Sequence, residues 1–117
     1  MNVKQFYLDT KGDYNDALSR MMNDALIVKV INKFMNGNAV NDLVSLYENK
    51  DYRAVFSAAH TLKGVAGNLS LTPLFKITCV ITEATRNNDD VNLDKEIAEL
   101  KEIYATIEVA FNKYLTA

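Results

Sequence analysis

The sequence predicts an all-α fold, an antiparallel up-and-down four-helix bundle with a short additional N-terminal helix. Three observations carry that expectation. Glycine is scarce and Pro73 is the single proline, so the punctuation that separates many short strands is missing. Apolar residues recur at alternating steps of four and three over long stretches, the spacing of a helix with one buried stripe. Four such stretches follow one another through short connections with no strand signal, a pattern that closes one core between antiparallel helices.

The elements follow in order. A short leading helix is expected around Asp13 to Arg20. Leu26, Ile27, Val30, Ile31 and Phe34 begin the next, and Val40, Leu43, Val44 and Tyr47 continue an apolar face beyond Asn36-Gly37-Asn38. One long kinked element is expected there, with two separate helices as the alternative. From about Asp51 to Leu69 the stripe is Val55, Ala59, Leu62, Ala66 and Leu69, with Asp51 as cap. It is narrow and rich in small residues. Pro73 suits the first turn of the following helix, with Thr72 as cap and Leu74, Ile77, Ile81 and Ala84 facing inward. Asn87-Asn88-Asp89-Asp90 ends it. The clearest helix comes last, with Leu93, Ile97, Leu100, Tyr104, Ile107, Phe111 and Tyr114 in one stripe. Asn92 is placed to cap it, and Asp94 and Glu96 sit in its first turn, where the helix dipole favours negative charge.

With 117 residues, 49% hydrophobic and 24% charged, the chain matches one domain spanning residues 1–117, built on one core and expected to be monomeric. A net charge of −2 without a basic run argues against nucleic acid and against an anionic membrane surface. The opening residues lack the apolar core of a signal peptide and no run is long enough to span a bilayer, so the cytoplasm is the expected compartment. Cys79 has no second cysteine to pair with, and one histidine with one cysteine is too few soft ligands for a zinc site. Cys79 falls away from the inward stripe of its helix and is assigned no redox role.

That one histidine, His60, is followed by Lys63, Gly64 and Gly67. Offsets of three, four and seven place all four on one side of a helix. Each glycine inside a helix costs about 0.8–1 kcal/mol relative to alanine, so two beside one titratable ring call for a reason. At about 100° per residue, His60, Gly64 and Gly67 cluster roughly 145° from the apolar stripe, with Arg53 and Phe56 nearby and Lys63 on the shoulder. His60 is therefore expected to face solvent. Helical side chains lean towards the N-terminus, so a side chain at position 64 would lie across residue 60. Glycine there uncovers the ring, and Gly67 extends a bare strip of backbone for a second protein to approach. An exposed imidazole near neutrality is a competent nucleophile towards a phosphoryl group. Lys63, leaning the same way, would neutralise charge on the phosphoryl oxygens. With no companion acid, base or metal cluster, the rest of an active site is expected from a partner.

The run His60-Thr61-Leu62-Lys63-Gly64-Val65-Ala66-Gly67-Asn68-Leu69 resembles the signature of histidine-containing phosphotransfer (HPt) domains, the four-helix carriers of multistep phosphorelays. The resemblance implies that His60 is the phosphoacceptor, that Lys63 assists phosphoryl binding, and that Gly64 and Gly67 are the small positions admitting the partner. It implies receiver domains of response regulators, or a hybrid histidine kinase, as partners. Magnesium is then held by the receiver's acidic pocket, and the carrier has no cofactor and no ATP site, so it is not an enzyme in its own right. Phe56 and Arg53 are candidate docking residues around His60, Phe56 being equally open to a core role. Arg86 or Lys76 would add positive charge nearby. Two positions depart from the pattern. Ser70 stands where the family often has glycine, and the glutamate common on the next helix appears as Thr82 followed by Glu83.

Three other readings are weighed against the carrier. A helical adaptor or inhibitor that binds a receiver or kinase without carrying phosphate has no need of His60 with Lys63. The dimerisation helix of a histidine kinase would want an acidic residue just after the histidine and a proline soon after it, where this chain has Thr61 and glycines. The histidine-bearing input domain of a chemotaxis-type kinase stays open as a larger protein from which this chain could be excised.

Overall fold

The computed structural model describes residues 1–87 and 89–116. Seven helices run through them: α1 (Val3–Thr10), α2 (Tyr14–Met21), α3 (Asp24–Asn36), α4 (Ala39–Glu48), α5 (Tyr52–Asn68), α6 (Thr72–Ala84) and α7 (Asp94–Tyr114). No strand occurs among the described residues. The α5–α6 hairpin is the centre of the bundle; α4 packs along α5, and α7 lies against α6 and α1. Val55, Ala59, Leu62, Ala66 and Leu69 are all buried, as are Leu74, Ile77 and Ile81 opposite them, so the expected inward stripes of both helices meet in one core. Ala84 is only partly buried. No helix among the described residues is long and apolar enough to cross a membrane.

The single long element expected from Leu26 to Tyr47 is two helices. Gly37 adopts an extended conformation, with φ −79° and ψ 172°, after closing α3 through its N–H to the Lys33 carbonyl, and Asn38 begins α4. Ile27, Ile31 and Phe34 are buried on one side of that break and Val40, Leu43 and Val44 on the other, while Leu26 is exposed. Caps follow the expected chemistry at Asp51, whose carboxylate accepts from the Ala54 N–H at 3.2 Å, and at Asp13, which accepts from Asp16 at 3.0 Å. Thr72 is not a cap. It is the first residue of α6, with Leu71 at the N-cap position and Pro73 in the first turn. Leu93 rather than Asn92 is the N-cap of α7. Its N–H donates to the Tyr47 hydroxyl at 2.7 Å, which in turn donates to Asp94, so α4 secures the start of α7; Asn92 accepts from the Asp94 N–H instead. In the Asn87-Asn88-Asp89-Asp90 stretch, Asn88 lies outside the described residues; α6 closes earlier, with Thr85 as its C-cap.

Helix α1 is an addition to the expected architecture. Val3, Phe6, Tyr7 and Thr10 recur at three, four and seven, and all are buried. Asn2 caps the helix through the Gln5 N–H. The Tyr7 hydroxyl reaches across the fold to donate to the Leu69 carbonyl at 2.7 Å, fastening α1 to the end of α5. Burial holds the Tyr7 phenol well above its ordinary range, with the Asp24 charge adding to it. Tyr7→Phe is expected to lower stability by about 1–3 kcal/mol, because it leaves a buried carbonyl without that donor. The urea midpoint measures this, and an unchanged midpoint would show that the bond contributes nothing net.

Candidate functional site

The turn that ends α5 controls how the His60 face meets the rest of the fold. The Leu71 N–H donates to the Ala66 carbonyl at 3.0 Å and the Ser70 N–H to Gly67 at 3.2 Å. These are the paired bonds of a Schellman closure, whose left-handed position is most often glycine. Ser70 occupies it with φ 52°. Compensation comes from α2: the Ser70 hydroxyl donates a short hydrogen bond to the Asp16 carboxylate, and the Ser70 carbonyl accepts from the Asp13 N–H at 2.9 Å. Gly12 makes that approach possible, since a Cβ there would stand 2.8 Å from the Ser70 carbonyl oxygen and 2.7 Å from the Tyr7 ring. The departure from glycine at position 70 is thus matched by a side-chain partner on another helix.

Hydrogen bonding from Ser70, with a further contribution from Arg20, holds the Asp16 carboxyl below the ordinary carboxylate range. A depressed folded-state pKa stabilises the protein above the unfolded value of about 3.9, and that contribution is lost as pH falls through the folded value. Asp16→Asn is therefore expected to lose stability near neutral pH and to flatten the fall in melting temperature below about pH 4. Parallel acid limbs for the two proteins would remove Asp16 from the acid response.

Within α5 the site residues fall as their spacing demands. His60 and Gly64 are exposed, Lys63 and Phe56 are half-buried, and Arg53 is exposed near the start of the helix. A Cβ built at Gly64 meets nothing within 4 Å. Gly64 is open to solvent one turn beyond the imidazole. Gly67 differs: a Cβ there would come 3.3 Å from the Phe75 ring, so its lack of a side chain accommodates a residue of α6. Phe75 is itself 39% exposed. Lys63, Gly64, Gly67 and Phe75 line one groove with Asp16, Arg20 and Ser70, which makes α2 a wall beside the glycine strip. Nothing in the sequence pattern of α5 alone pointed to that wall or to Phe75, because both contacts depend on how other helices are placed.

On the other flank of His60, the Phe56 and imidazole rings are near-parallel, with centroids 6.0 Å apart and planes 13° from each other. The Arg86 guanidinium carbon lies 5.6 Å from the Phe56 centroid. Arg86 is paired with Glu83 through two hydrogen bonds, Nε to Oε2 at 3.1 Å and Nη2 to Oε1 at 2.5 Å. That pairing holds the Glu83 carboxyl below its ordinary range, and the charge of Lys63 adds to the effect. Of the two cations weighed near the site, then, Arg86, just beyond the C-cap of α6, approaches the Phe56 ring and is engaged with Glu83, while Lys76 is exposed on α6. Thr82, the second of the two departures, is buried and donates to the Thr78 carbonyl at 2.6 Å. Arg53 lies two turns before His60, roughly 10 Å along the helix axis. Cys79 is half-buried. Among the described residues no group of three or more His, Cys, Asp or Glu is placed to hold a metal ion.

What this arrangement offers chemically is an exposed imidazole, a lysine three residues further along the same helix and an open position at Gly64. The histidine stands exposed on the surface of α5, an arrangement suited to group transfer completed by a second protein. Comparison with known families agrees. The model of the Hpt domain matches residues 21–110, which takes in α3 to α6, most of α7 and the whole His60 signature. Helix α1 and nearly all of α2, with the Tyr7 and Asp16 contacts to the α5–α6 turn, precede the matched region. No curated protein and no solved structure matches the chain. An all-helical bundle carrying this signature and matched over most of its length belongs to the Hpt domain family, whose general role is histidine phosphotransfer in phosphorelays with receiver domains as partners.

Proposed function

We propose that the chain is a phosphoryl carrier in a multistep phosphorelay, with His60 accepting phosphate from a receiver aspartate or a kinase and passing it to another receiver aspartate. In the first step a ring nitrogen of neutral His60 donates its lone pair to phosphorus. The bond between phosphorus and the aspartyl oxygen breaks, and the carboxylate leaves with that electron pair. The reverse exchange on a second receiver returns His60 to its starting state, so both steps run through one N–P bond and need no proton from the carrier. Lys63 places a positive charge beside the phosphoryl oxygens as their charge redistributes. Magnesium belongs to the receiver.

The observation that carries this reading is the exposed His60 beside Gly64, at which an added Cβ would meet nothing within 4 Å. A histidine serving the fold would be covered, and a glycine serving helix packing would face a neighbour. The test is incubation with a panel of phosphorylated receivers, and with a hybrid kinase and ATP, followed by assay for acid-labile, alkali-stable phosphate on the carrier. Incorporation that is lost in His60→Gln supports the proposal. A wild-type protein that binds receivers yet acquires no phosphate from any of them overturns it in favour of the adaptor.

A further inference from the structure

Phe56 and Arg86 lie outside the bond-making just described, yet they adjoin the reacting ring in series. Phe56 is four residues before His60, so the two side chains share one face of α5. Their 6.0 Å centroid separation and 13° interplanar angle are those of an offset parallel pair. Arg86, at 5.6 Å from the Phe56 centroid, is within cation–π range of that ring. Glu83 fixes the guanidinium by two hydrogen bonds from three residues away at the end of α6. The series Glu83, Arg86, Phe56, His60 therefore runs from the C-terminal end of α6 back to the imidazole on α5.

An exposed imidazole beside a glycine has little to restrict it. Its χ1 would be shared among staggered wells and its χ2 would be broad. In-line attack on phosphorus needs the nitrogen lone pair aimed along the breaking bond, and every unproductive rotamer subtracts from the rate. Resting on the phosphoryl-carrier reading, we infer that Phe56 is a positioning residue: it stacks on His60 and fixes the plane of the imidazole, and Arg86, anchored by Glu83, fixes Phe56. Phe56 touches neither the phosphoryl group nor a proton in transit. It acts through the ring it holds.

Positioning and docking make different predictions for the same variant. Phe56→Leu keeps an apolar side chain at a half-buried site, so the fold is expected to survive, as a circular dichroism melt will show. In single-turnover transfer from a phosphorylated receiver that loads the wild type, Phe56→Leu should lower the saturating rate about two- to tenfold with the half-saturating concentration unchanged. Phe56→Tyr, which restores the aromatic face, should recover the rate. The imidazole protons of His60, followed by NMR in the unphosphorylated protein, should lose a ring-current shift in Phe56→Leu and regain it in Phe56→Tyr. A rise in half-saturation at constant rate would instead assign Phe56 to docking, and unchanged imidazole shifts would show that the stack does not form in solution. If the wild type takes phosphate from no receiver, the carrier reading fails and the positioning role with it, whereas the NMR measurement still reports separately on the stack.

Discussion

His60→Gln will reduce phosphate incorporation from a phosphorylated receiver to background, a loss of at least about 10³-fold, on the scale of removing a nucleophile from a group-transfer site. The same variant will melt within about 1 kcal/mol of the wild type. Both halves follow from where the residue sits. The side chain is exposed, its aromatic contact is to the neighbouring Phe56 on the same helix, and the core stripe of α5 lies on the opposite side at Val55, Ala59, Leu62 and Ala66. Glutamine is a good helix former and keeps a polar group at a solvated position. It offers no basic ring nitrogen to phosphorus. Phosphate appearing on His60→Gln, in an acid-labile form, would mean that another residue is the acceptor. A large fall in melting temperature would mean that the histidine has a structural duty the fold does not reveal.

The exposure of His60 and Gly64 was legible because both depend on one helix alone. Once Val55, Ala59, Leu62, Ala66 and Leu69 define the buried direction, helix geometry places every other α5 residue without reference to the remainder of the chain. Gly67 shows the limit of that logic. It faces away from the same stripe, yet α6 folds back after the Ser70 turn and brings Phe75 over it. Angular position on α5 does not encode this.

The two-helix alternative at Gly37 had the stronger sequence signal. Val40 follows Phe34 by six residues, which no single helical stripe accommodates, and an Asn-Gly-Asn run lies between them. Helix α1 carried its own signal in Asn2, Gln5 and the Val3, Phe6, Tyr7, Thr10 spacing, but over barely two turns, too short for a sustained apolar stripe. The Ser70 bond to Asp16 was legible in neither place. It joins residues 54 apart and exists because Gly12 lets two backbones approach.

Gly64 yields the second large effect, and its two consequences have opposite signs. Gly64→Ala is expected to raise stability by about 0.8–1 kcal/mol, since the position is an exposed helix interior where alanine outranks glycine and a Cβ meets nothing within 4 Å. Gly64→Gln should keep most of that gain. Its longer side chain leans towards the N-terminus and lies across His60, where the catalytic groups of a receiver must approach. Transfer should then slow at least about tenfold, the effect of losing roughly 1.4 kcal/mol of transition-state contact. A stabilised carrier with impaired transfer separates the two roles a glycine can have in a helix. Had the fold required Gly64, removing it would lower stability and activity together. Transfer at the wild-type rate in a folded, more stable Gly64→Gln would show that the partner reaches His60 by a path that avoids this strip of α5.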